Sequence, residues 1–135
     1  MSNKINYGTI VVYGEPASKA NSRKIVKIKG SPVSIKSDKA RAYEKSFKEQ
    51  MEKLASRQLL EGDVKVDILI YYKTRRPDLD ESLILDCLQG YIYKNDRQVK
   101  EKHIYWGIDK DSPRTILRVS TMETGNIPSY LRRLS

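Results

Sequence analysis

Cysteine and histidine occur once each, as Cys87 and His103. A lone cysteine excludes an intrachain disulfide and a cysteine zinc knuckle, and a lone histidine argues against a histidine-ligated metal or a serine-protease-type triad. Tryptophan and phenylalanine are as scarce, at one each, beside nine tyrosines. Long apolar runs are missing too: stretches such as 68–72 fall far short of the roughly 18 residues that span a bilayer. The opening MSNKINYG has no apolar signal segment. These gaps predict a cytoplasmic protein without a membrane partner. They leave carboxylates, amines and hydroxyls to carry any chemistry.

What the chain has in plenty is charge. Its 135 residues hold 26 Lys and Arg against 17 Asp and Glu, a net +9, with 39% hydrophobic residues. That length and balance predict one domain over 1–135 with a modest core, not a disordered chain. Residues 1–60 carry 13 basic against 5 acidic side chains, and the remainder is nearly balanced at 13 against 12. The first half therefore supplies the basic surface. A polyanion such as nucleic acid suits it, because Lys and Arg displace counterions from phosphates; a merely solubilising face is the plainer alternative.

Apolar spacing predicts the elements. Residues 10–13 read as a strand closed by Gly14-Glu15-Pro16, followed by a basic loop over 17–24. Residues 25–28 and 33–35 form a hairpin through Lys29-Gly30-Ser31-Pro32. A helix capped by Ser37 or Asp38 runs to about Arg57 along Ala42, Tyr43, Phe47, Met51, Leu54 and Ala55. Residues 64–72 alternate and then turn apolar, as a strand entering a core does. Pro77 introduces a short helix over about 78–89, which Gly90 closes. Strands over 98–108 and 115–119 follow, and the tail from 125 is at best partly ordered. The order predicts an α+β domain, a mixed sheet with two main helices.

The densest chemistry is Arg75-Arg76-Pro77-Asp78-Leu79-Asp80-Glu81, followed after the short helix by Lys94-Asn95-Asp96-Arg97-Gln98. Carboxylates without histidine or cysteine suit a hard cation such as Mg²⁺ or Mn²⁺. The plainer reading makes Asp78 a helix cap and Asp96 a turn residue. On a helical wheel Ser82, Asp86 and Gln89 share a polar arc, while Asp80 falls among the apolar positions Leu79, Leu83, Cys87 and Leu88. An inward carboxylate needs an arginine or a metal. Asp86 reads as solvated, Cys87 as core and His103 as a strand residue. Tyr71, Tyr72, Tyr91, Tyr93 and Trp106 are of the type that stacks on opened bases, but such strand residues more often fill a core or a dimer interface.

Two parts of the chain carry a resemblance. Gly14-Glu15-Pro16-Ala17-Ser18-Lys19, the basic stretch through Arg23, and residues 37–44 form one; Arg76-Pro77-Asp78-Leu79-Asp80, Leu85-Asp86-Cys87-Leu88-Gln89-Gly90 and residues 93–99 form the other. In order and spacing they resemble the RusA family of Holliday junction resolvases, often carried by phages and prophages, over roughly residues 8–120. The resemblance implies a compact α/β homodimer that binds four-way DNA junctions and nicks two strands symmetrically with Mg²⁺, Mn²⁺ being a substitute.

It further implies Asp78, Asp80 and Asp96 as catalytic and metal-binding aspartates, with Glu81, in place of the family's usual Asn, as an added ligand. Asn95 stands where many members have a further Asp. A lysine that relatives place a turn into the helix is absent, and that helix is two residues shorter; Lys94 or Lys19 could supply the charge. Arg75, Arg76, Lys94 and Arg97 beside the acids, with Lys19, Arg23, Lys24 and Lys27 in the basic half, are the expected DNA contacts. A catalytically impaired protein that only binds branched DNA, or a Mg²⁺ nuclease for flaps or forks, are the competing expectations.

Overall fold

The alternation of residues 64–72 becomes a strand in which every second side chain is buried. The structure, a computed structural model, describes residues 8–18, 21–54, 58–122 and 127–133. Among these, the chain runs β1 (Ile10–Tyr13), β2 (Arg23–Ile28), β3 (Ser31–Lys36), α1 (Asp38–Leu54), β4 (Val64–Tyr72), α2 (Ser82–Leu88), β5 (Val99–Ile108), β6 (Arg114–Thr121) and α3 (Ser129–Arg132). Four strands form a mixed sheet in the order β1-β6-β4-β5, with β4 and β5 parallel and the other pairs antiparallel. The expected α+β class with a mixed sheet is the class observed.

β4 is apolar because it lies inside the sheet, between β5 and β6. Its Val66, Ile68, Ile70 and Tyr72 face the helices, where Phe47 and Met51 of α1 and Ile84 and Leu88 of α2 meet them in one core. Tyr43 and Phe47 tilt against each other with centroids 5.8 Å apart. Of the two expected caps for α1, Ser37 serves: its Oγ accepts from the Ala40 amide at 3.2 Å.

β2 and β3 pair only with each other. The expected four-residue connection is tighter: Lys29 (φ 52°) and Gly30 (φ 81°) make a two-residue turn. Positive φ at both positions gives the turn the twist that a hairpin needs, so Ser31 and Pro32 join β3. The second correction concerns α2, which starts at Ser82 rather than near Asp78. Its wheel holds from there on: Leu83, Cys87 and Leu88 are buried and Asp86 is exposed.

Candidate active site

The acidic segment stays out of the helix because a buried phenol holds it. Tyr72, the last residue of β4, donates from its hydroxyl to the Asp78 carbonyl at 3.2 Å and accepts from the Asp80 amide at 3.3 Å. Both backbone groups are thereby withdrawn from helical pairing. Asp80 is therefore not an inward wheel position: its Oδ1 accepts from the Ser82 amide at 3.1 Å and the Ser82 hydroxyl at 2.6 Å, capping α2 from just outside. Asp78, which the plainer reading made the cap, is exposed. Burial pushes the Tyr72 phenol above its usual range, and the charges of Asp80, Glu15 and Glu81 push the same way, against the Asp80 amide. The phenol stays protonated and keeps donating. Tyr72→Phe is expected to cost about 1 kcal/mol of stability and to lower cleavage more than DNA affinity, as thermal unfolding and single-turnover kinetics would show.

Two residues at this site escaped the sequence. Glu15, with a side chain only 13% exposed, accepts from the Lys73 amide at 2.7 Å and from Lys39 Nζ at 3.2 Å, tying the end of β1 to the root of the acidic loop and to α1. Its one local signal was the Gly-Glu-Pro turn. Lys102 of β5 stands 2.5 Å from the Glu81 carboxylate. It is thus Lys102 that the structure brings to the acidic loop; Lys94 lies past α2, and Lys19 lies outside the described residues. Glu81 meets Lys102 through one oxygen, Oε1.

Asp96 lies at the other end of α2, whose seven residues rise about 10 Å. Its amide donates to Gln89 Oε1 at 2.9 Å, just beyond the helix. Partial desolvation raises the Asp86 carboxyl although the residue is exposed, and the neighbouring Asp96 charge raises it further while Lys36 opposes. Burial likewise raises the Tyr93 phenol between the two acids, and its hydroxyl donates to the Leu85 carbonyl at 2.7 Å. Asp78 and Asp80 thus lie on the loop that precedes α2, while Asp86 and Asp96 neighbour each other toward its other end. The loop holding Asp96 is itself built: Asn95 and Gln98 form a capping box around a single 3-10 turn. That gives Asn95 a structural role.

The expected DNA contacts fall into three groups. Arg75 and Arg76 are exposed beside the acidic loop, and Lys94 and Arg97 are exposed beside Asp96. On the hairpin Lys27 is exposed, Arg23 bonds Ser34, and Lys24 pairs with Asp38 at 2.9 Å. Cys87 is buried with its thiol pushed up to about 12, and His103 is an exposed strand residue whose Nε2 lies 2.7 Å from Glu101. Neither is placed for catalysis.

Oxygen-only donors on an exposed loop fit Mg²⁺, an ion that protein commonly holds through one or two carboxylates while substrate phosphate and water fill the rest. Among the described residues no three Asp, Glu, His or Cys side chains stand close enough to share an ion. Asp78 and Asp80 are two residues apart on the loop whose backbone Tyr72 holds. Fold and site together define a basic α+β protein with an acidic loop flanked by arginines, the build of a phosphodiester-cutting protein. A family model described as endodeoxyribonuclease RusA matches residues 14–120, and the chain belongs to that family. DNA is accordingly its substrate. No individually curated protein matches.

Proposed function

We propose that the protein is a Mg²⁺-dependent resolvase that cuts four-way DNA junctions by paired symmetric nicks, working as a homodimer in the cytoplasm. The observation that carries this reading is the Asp78–Asp80 loop, held open by Tyr72 between Arg75 and Lys102, in a chain of the RusA family. Asp78 and Asp80 would hold the ion, which when bound neutralises charge on the scissile phosphate and acidifies water. Tyr72 and Glu15 fix the loop, so that the carboxylates need not reorganise when DNA arrives. Arg75 and Arg76 grip neighbouring phosphates as planar two-pronged donors. Hairpin cations track the duplex arms without reading sequence. Asp96 acts from the far end of α2, next to Lys94 and Arg97. A two-fold dimer presents two equivalent loops to a pseudo-symmetric junction.

The test is cleavage of an immobile synthetic four-way junction with and without Mg²⁺ or Mn²⁺, beside flap and fork substrates. Paired nicks confined to the junction and dependent on the ion are expected. Comparable cutting of flaps would sink the resolvase assignment. Tight binding without any product would establish the junction-holding alternative.

A further inference from the structure

Most of the aromatic side chains near the acidic loop are already occupied. Tyr72 and Tyr93 are fully buried. Tyr71 lies across Gly107, where a Cβ would come within 2.7 Å of its ring, and the Arg114 guanidinium covers the ring at 4.4 Å. Trp106 is different: it is 48% exposed. Its register partner is Ile70, and that of Ile108 is Tyr72, so Trp106 and Ile108 project from the sheet on the side that carries the acidic loop. Ile70 is covered by the core, but β5 is the edge strand and its side chains reach past the helices. Leu79, between the two aspartates, and Ile108 are also exposed, at 42% and 45%.

An exposed indole beside a phosphate site has a chemically specific use. We infer that Trp106 is a stacking platform for an unpaired nucleobase next to the phosphodiester presented to the Asp78–Asp80 loop, so that DNA opened at that point is preferred over intact duplex. This rests on the nuclease reading above. Arg75 sits 5.5 Å over the ring, holding the indole against the loop while offering its own charge to the adjoining phosphate. Bases stack on indole irrespective of sequence, which suits selection for structure rather than for a motif. Charge decides between occupants: Arg75 lies over the ring with exposed Arg76 next to it in the chain, and a second copy carrying the same cations, at net +9, would be repelled where a nucleic acid is attracted.

Trp106 is the chain's single tryptophan, so emission excited beyond tyrosine absorption reports on it alone. The wild-type protein is titrated, without divalent ions, with a four-way junction and with an unbranched duplex of the same sequence. The junction is expected to quench the emission and the duplex to leave it unchanged. Trp106→Ala should lower the ratio of junction to duplex affinity about tenfold, and Trp106→Phe should restore it. Equal quenching by duplex, or an alanine variant as selective as wild type, would overturn the inference. So would emission that changes on diluting the protein alone, since a second copy would then be the occupant. No cleavage is needed, so inactivity in Mg²⁺ would count against the resolvase reading and leave this result standing by itself.

Discussion

Replacing Asp80 with asparagine is expected to lower junction cleavage about a hundred- to a thousandfold, while affinity for the junction is unchanged or higher. On the proposed reading Asp80 holds the ion, and the several kcal/mol that a positioned cation contributes to phosphoryl-transfer chemistry disappear when that carboxylate becomes a neutral amide. Asparagine keeps an oxygen in place of Oδ1, so the bonds from the Ser82 amide and hydroxyl, and with them the start of α2, survive. Removing a negative charge near phosphates strengthens attraction, if anything. Parallel measurements of cleavage rate, binding and thermal unfolding check all three statements. Loss of binding in a folded variant, or undiminished cleavage, would remove Asp80 from the ion.

The second large effect concerns Gln98, where no chemistry is involved. Its Oε1 accepts from the Lys94 and Asn95 amides at 3.0 and 3.1 Å, and its Nε2 donates to the Leu60 and Gly62 carbonyls, both at 2.9 Å. One side chain therefore fastens the Asp96 loop to the segment that leads into β4. Gln98→Ala leaves four backbone groups to find water. At about 1 kcal/mol per bond, with incomplete additivity, the expected loss is about 2–3 kcal/mol, a fall in Tm of roughly 10 °C. Calorimetry measures it. If Asp96 shares in cleavage, the same variant also cuts more slowly below its Tm, whereas a purely structural loop would leave the rate unchanged there.

What was legible in the sequence was whatever repeats with a short period. The two-residue alternation of β4 shows in the order of apolar residues and stands as expected. On α1 the expected Tyr43, Phe47 and Met51 are buried, but Ala40 takes the place of Ala42, Ala42 and Leu54 are exposed, and Ala55 lies outside the described residues. Asp80 was misplaced because a helical wheel assumes a helix, and here a phenol eight residues earlier competes for the same backbone groups. Glu15 was invisible because its partner, the Lys73 amide, is 58 residues away. Lys102 and Glu81 are 21 apart and meet only after β5 has docked beside β4. The family pattern supplied the acidic block, but only the folded chain separates Asp96 from Asp78 and Asp80.

The hairpin of β2 and β3 has a further implication for motion. Neither strand buries a residue, and Ile25 is 75% exposed, so opening the hairpin sacrifices almost none of the apolar contact that secures β4. Its amide protons would therefore exchange with solvent through a local fluctuation, far below the free energy needed to unmake the four-stranded sheet. The chain thus joins two regions of unequal rigidity: a stiff four-stranded frame that carries the acidic loop, and a cationic hairpin that can open without disturbing it.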